Sequence, residues 1–177
     1  MDWYARRKAE VTKMKVNRDG SSVWHVRYTI TNSMKPEEVQ STPAYITSTF
    51  PTSFYEGLIG QGKMSDEKKA FATTMISKAQ PGVLWHIYVI ESPAGGTVSN
   101  IKVNNDSASR VQEGEQFSKF KSGGRDYYTN VGVFIDPGCT ATVEYDVTTA
   151  PGASDLKFDE TPVPYTPQIV YKDETKE

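Results

Sequence analysis

The sequence predicts an all-β fold, an antiparallel two-sheet β-sandwich with one inserted α-helix near residues 65–79. Three observations carry this. About nine or ten short segments have the period-two alternation or β-branched content of strands, with turn residues between them. A single stretch has helical spacing, whereas a parallel α/β fold would need a helix after most strands. The 177 residues hold no internal repeat, low-complexity tract or linker, so one domain spans residues 1–177, with an inserted loop-helix region at about 33–82. An immunoglobulin-like topology is one form of such a sandwich, although the Cys-Trp-Cys arrangement of true immunoglobulin domains is absent.

The first hairpin is the clearest signal. Thr12, Met14 and Val16 share one face of residues 11–16, and Val11, Lys13 and Lys15 share the other. Asp19-Gly20 supplies a turn, and Trp24, Val26, Tyr28 and Ile30 then alternate with His25, Arg27 and Thr29. Residues 33–82 are broken by Pro36, Pro43, Pro51 and Pro81, but residues 44–50 read as a short strand. Ser65-Asp66-Glu67 reads as a helix start, followed by apolar Ala70, Phe71, Met75 and Ala79 and stopped by Pro81-Gly82. The stripe of Phe71 and Met75 is read as core contact.

Residues 83–90 are apolar on both faces and suit a central, well-covered strand. Gly95-Gly96 and Gly123-Gly124 read as turns, residues 97–103 as a strand, and Phe117 with Phe120 as a weaker segment. A second hairpin joins residues 127–135 to residues 139–147 through Asp136-Pro137-Gly138. Leu156 with Phe158, and residues 165–171 around Pro167, read as edge strands, since proline cannot donate to a central ladder.

Composition excludes several function classes. The net charge of −2 argues against nucleic acid as a partner, because such a surface is strongly basic. A lone cysteine and two histidines leave no material for a disulfide framework or a zinc site. No apolar run is long enough to span a membrane, and the start MDWYARRKAE has no apolar leader. No direct membrane insertion of this chain is therefore expected.

No catalytic, cofactor-binding or metal-ligating residue is assigned. Cys139 shares the apolar face of Ala141 and Val143 and reads as a small hydrophobe. His25 sits on a polar face beside Arg27, and His86 reads as a hydrogen-bonded, half-buried histidine. Glu144 and Asp146 share a face, which is the arrangement glycosidases use, but Thr140 and Thr142 mark that face as solvent-exposed. Asn104, Asn105 and Asp106 match no calcium-loop spacing and read as a turn. The basic group Arg6, Arg7, Lys8, Lys13 and Lys15 reads as a solvated strand face rather than a contact for an anionic surface. Aromatic residues make up 11% of the chain, and a sugar-stacking platform would draw on Trp3, Tyr45, Phe54 and Tyr55, with two coplanar exposed rings.

Several segments, in order, carry a family likeness. They are Val16-Asn17-Arg18-Asp19-Gly20, Val26-Arg27-Tyr28-Thr29-Ile30-Thr31-Asn32, Gln80-Pro81-Gly82 and Ile87-Tyr88-Val89-Ile90-Glu91-Ser92-Pro93-Ala94-Gly95. Tyr127-Tyr128-Thr129-Asn130-Val131, Asp136-Pro137-Gly138-Cys139-Thr140-Ala141-Thr142-Val143 and the closing Pro162-Val163-Pro164-Tyr165-Thr166-Pro167 continue it. This pattern resembles the C-terminal extracellular region of actinobacterial envelope proteins of the domain of unknown function 4012 family. The resemblance implies a module outside the cell, in a parent protein anchored by an upstream hydrophobic segment, with Met1 as a start placed before an excised domain. It supplies no catalytic residues, and the insert around residues 65–79 departs from the family pattern. The resulting expectation is a non-enzymatic structural or interaction module of a cell-envelope protein, whose partner is a protein or a cell-wall glycan. The alternative is a carbohydrate-binding module for cell-wall or host glycans.

Overall fold

The computed structural model describes residues 2–47, 52–62, 64–106, 117–130, 132–160 and 165–175. The described residues are mostly β, with 43% of them in strands and 20% in helices. In order, the elements are β1 (Ala5–Val16), β2 (Ser22–Asn32), α1 (Ala44–Thr47), α2 (Thr52–Gly60), α3 (Asp66–Lys78), β3 (Leu84–His86) and β4 (Val89–Glu91). Then follow β5 (Thr97–Asn105), β6 (Ser118–Ser122), β7 (Arg125–Thr129), β8 (Val133–Ile135), β9 (Thr140–Thr148) and β10 (Gln168–Asp173). Five strands form one sheet in the order β10-β1-β2-β9-β5, while β3 pairs with β8 and a third sheet runs β4-β7-β6.

The β1–β2 hairpin forms as the alternation predicts, closed by Asn17 N–H donating to Ser21 O at 2.8 Å and by Gly20 at a φ of +79°. Its register corrects the face assigned to β1. Val11 lies opposite Val26 and Lys13 opposite Trp24, so the inward face carries Ala5, Ala9 and Val11 rather than Met14 and Val16. A bulge between Lys13 and Lys15 then leaves Met14 and Val16 at the exposed end. Tyr28, Val26 and Ile30 point inward as expected, together with Val143, Tyr145 and Val147 of β9.

The sheet is not wholly antiparallel, because β10 runs parallel to β1, from Lys8 beside Gln168 to Lys13 beside Asp173. β9 ends at the turn end of the hairpin, opposite Val23, so the chain must return to the far end before it can pair with β1. Such a return gives a parallel strand. Residues 151–160 make part of that return without forming the edge strand expected at Leu156 and Phe158. Both side chains pack on the core instead, and Phe158 N–H donates to the Tyr171 hydroxyl rather than to a ladder.

Two further expected strands break opposite one another. Residues 83–90 divide into β3 and β4, and residues 127–135 into β7 and β8, each pair split between two sheets. Asn130 causes the break: its Oδ1 accepts from the Tyr88 N–H at 3.0 Å and the Gly132 N–H at 3.2 Å. Gly132 has a φ of +100°, and a Cβ there would lie 2.1 Å from Trp85 Nε1, so glycine is what lets the indole pack. The second hairpin is likewise replaced by a crossing. β8 pairs with β3 and β9 with β2, and the turn between them is tied to Asn32, whose carbonyl accepts from Gly138 N–H at 2.9 Å. The buried Asn32 side chain also donates to Gly82 O at 2.7 Å and Ile135 O at 3.0 Å.

One core joins Val11, Val26, Tyr28, Ile30, Val143 and Tyr145 of the large sheet to Leu84, Tyr88, Ile90, Val133 and Ile135 of the small ones. On the other side of β3 and β8, Trp85 stacks on Phe134 with centroids 6.4 Å apart, and Met75 and Val83 complete a second cluster. Strand β3 is thus covered on both faces, but it pairs with β8 alone in a two-stranded sheet, and Ile87 and Val89 are exposed, so the central, well-covered strand expected over residues 83–90 is not formed. α3 agrees closely with the predicted helix, but its buried face is Ala72 and Met75, with Phe71 one position off and 47% exposed. Two helices precede it. α1 replaces the strand expected over residues 44–50, because the Pro43 carbonyl accepts from Ile46 and Thr47 N–H and winds a helical turn; residues 48–50 lie outside the described residues. α2 stands where no element was assigned, with Tyr55 packed on the second cluster.

Candidate functional site

The outer face of the large sheet gathers most of the polar residues singled out above. His25 of β2 lies opposite Asp146 of β9, with Nδ1 and Oδ1 2.8 Å apart, and Asn100 Nδ2 donates to Asp146 Oδ2 at 2.7 Å. An ionised carboxylate only accepts, so Nδ1 carries the proton in this pair. Asn100 reaches Asp146 from a bulge between Ser99 and Lys102, where it adopts a φ of +55°. Two residues along each strand, on the same face, Arg27 meets Glu144 at 3.3 Å, followed by Thr29 with Thr142 and Thr31 with Thr140. Burial pushes the Asp146 carboxyl up, but the hydrogen bonds from Asn100 and His25 and the charges of His25 and Lys102 outweigh it, and its pKa lies below the ordinary value. Glycosidase chemistry needs a carboxyl held protonated. Asp146 is tuned the opposite way.

The basic group of β1 separates into different environments. Lys8 meets Glu10 at 3.3 Å, and Lys13 meets Asp155 at 3.7 Å with its Nζ over the Trp24 ring. Arg7, read as part of a solvated face, is instead turned inward: its side chain is 4% exposed and its Nε lies 3.3 Å from Glu160 Oε1. The Tyr28 hydroxyl donates to the same carboxylate oxygen. Burial, then the hydrogen bond to Glu160 and its charge, push the Tyr28 phenol far up. Tyr88 is also pushed up by burial, and its hydroxyl has no hydrogen-bond partner among the described residues.

Arg6 points to the other side and helps form an open depression of about 370 Å³ with Trp3, Tyr4, Ile46 and Tyr165. Its guanidinium carbon lies 4.1 Å from the Tyr165 ring centroid, and Nη1 donates to Trp3 O at 2.7 Å. Trp3 and Tyr165 meet edge to face, with centroids 6.3 Å apart and planes at 81°. Neither this pair nor Phe54 with Tyr55, whose planes meet at 83°, is the coplanar platform expected of the aromatics. The Tyr45 side chain lies outside the described residues. Composition marked Trp3 and Arg6, but Tyr165 joins them only through the return of the chain to β1.

The remaining candidates stay apart from these surfaces. His86 packs edge to face on Tyr88 at 4.9 Å, and Cys139 is half-buried against the main core. Asn104 and Asn105, expected in a turn, are instead the last residues of β5, paired with Thr142 and Ala141, and Asp106 N–H continues that ladder to Thr140 O at 2.9 Å. Gly123-Gly124 forms the tight turn between β6 and β7. Among the described residues, no group of three or more His, Cys, Asp or Glu is placed to hold a metal, and no helix is long and apolar enough to cross a membrane.

Comparison with known proteins returns no matching family model, no similar curated protein and no similar solved structure.

Proposed function

We propose that the chain is a two-sheet β-sandwich that acts as a non-enzymatic interaction module on the outside of a membrane-anchored cell-envelope protein. The single observation that carries this reading is how the ionisable side chains are used. Those in the notable positions are spent on neighbours: His25 on Asp146, Arg27 on Glu144, Arg7 on Glu160. At the corner of Trp3 and Tyr165 an exposed aromatic surface carries the Arg6 guanidinium, the composition of a binding patch. The core shared by the large sheet and the small ones supports the sandwich description. The extracellular setting rests on the sequence resemblance to the actinobacterial envelope family.

A second reading, a carbohydrate-binding module, is favoured by the depression at Trp3, which is 64% exposed, and Tyr165, which is 40% exposed. Aromatic faces take the apolar face of a sugar ring. Labelling intact cells that carry the parent protein with a membrane-impermeant amine reagent tests the location. The lysines of this region react without permeabilisation if the reading holds. Labelling only after lysis refutes it.

A further inference from the structure

We propose that the corner formed by Trp3, Arg6 and Tyr165 is a subsite for one carboxylate-bearing sugar residue, the pyranose lying against Trp3 and the carboxylate on the open edge of Arg6. The inference rests on the carbohydrate reading and narrows it to acidic sugars. Two rings at 81° make a corner rather than a flat strip, so they hold a single sugar unit in place instead of tracking along a chain. The depression of about 370 Å³ has room for such a unit, at the lower end of ordinary ligand sites.

Arg6 supplies the selectivity. Stacking on Tyr165 and the bond from Nη1 to Trp3 O fix the guanidinium plane before any ligand arrives. Among the described residues, no hydrogen bond engages its Nε or Nη2, and no carboxylate lies within ion-pair distance. Arg7, Lys8 and Lys13 on the same strand each meet a carboxylate, whereas Arg6 meets none among the described residues. An unpaired Nε–Nη2 edge matches the two oxygens of a carboxylate in a bidentate fork. A polyanion such as a nucleic acid would need a run of cations, whereas one arginine on a chain of net charge −2 suits one localised charge.

The test is a titration of the isotopically labelled chain followed at the Trp3 indole N–H, with methyl glucuronide, its uncharged counterpart methyl glucoside, acetate, and a short acidic peptide as probes. The glucuronide is expected to bind about tenfold more tightly than the glucoside, the size of one added charge-assisted interaction. Arg6→Gln should bring the glucuronide down to the glucoside, and Trp3→Ala should remove both. Both side chains are on the surface, and thermal melts of the variants check that they fold. Equal binding of the two glycosides overturns the acidic-sugar inference while leaving the carbohydrate reading intact. Acetate or the peptide matching the glucuronide also overturns it, as a plain anion or peptide site. Binding of no glycoside at Trp3 or elsewhere on the chain overturns both.

Discussion

The Arg7 guanidinium and the Glu160 carboxylate lie 3.3 Å apart with their side chains 4% and 13% exposed, joining the first strand to the irregular return segment. The Tyr28 hydroxyl donates to the same carboxylate, and Phe158, two residues earlier, stacks on the Tyr28 ring at 5.8 Å. Leu156 and Phe158 thereby seal the core edge that β10 alone does not cover. A buried ion pair is a modest source of stability by itself, but removing one member leaves the other charge stranded.

Glu160→Ala is therefore expected to cost about 3–5 kcal/mol in denaturant unfolding, whereas Arg7→Met with Glu160→Leu should recover most of it. A Glu160→Ala change within about 0.5 kcal/mol of the parent, typical of a surface position, would show that the pair does not hold the return segment.

Gly132→Ala tests the break between β7 and β8. The added Cβ meets Trp85 at a left-handed φ, so a loss of about 2–4 kcal/mol is expected, with a change in the near-ultraviolet signal of the indole. An unchanged spectrum and midpoint would mean that the break does not depend on this glycine.

The outer face predicts a pH dependence. Folding holds the Asp146 carboxyl below its ordinary value of 3.8, so the unfolded chain binds the proton more readily. The stabilisation is complete above that value and is lost as pH falls through the lower folded value. Asp146→Asn should be less stable than the parent at neutral pH, and the two curves should converge in acid. Parallel curves down to pH of about 2 would contradict the assignment.

What the sequence makes legible follows from how locally each feature is determined. The Trp24, Val26, Tyr28 and Ile30 alternation is plain because β2 sits mid-sheet with one face in the core and one in water. α3 is plain because Ser65, Asp66 and Glu67 start it within a few residues. The division at Ile87-Tyr88 is hidden, since an apolar run continues through it and the cause is the side chain of Asn130, distant in the chain. Arg7 reads as surface for the same reason: nothing near it announces Glu160. Of the candidate site, Trp3 and Arg6 are visible as an aromatic and a cation, but their meeting with Tyr165 depends on the parallel placement of β10, which no local pattern encodes.

The measurement that bears most directly on the proposed function is sedimentation of the purified chain with isolated cell envelopes, before and after the envelopes are treated with protease or with polysaccharide hydrolases. An interaction module is retained saturably, and the treatment that abolishes retention tells whether a protein or a glycan is the partner. Retention no greater than that of an unrelated β protein on every preparation would contradict the account.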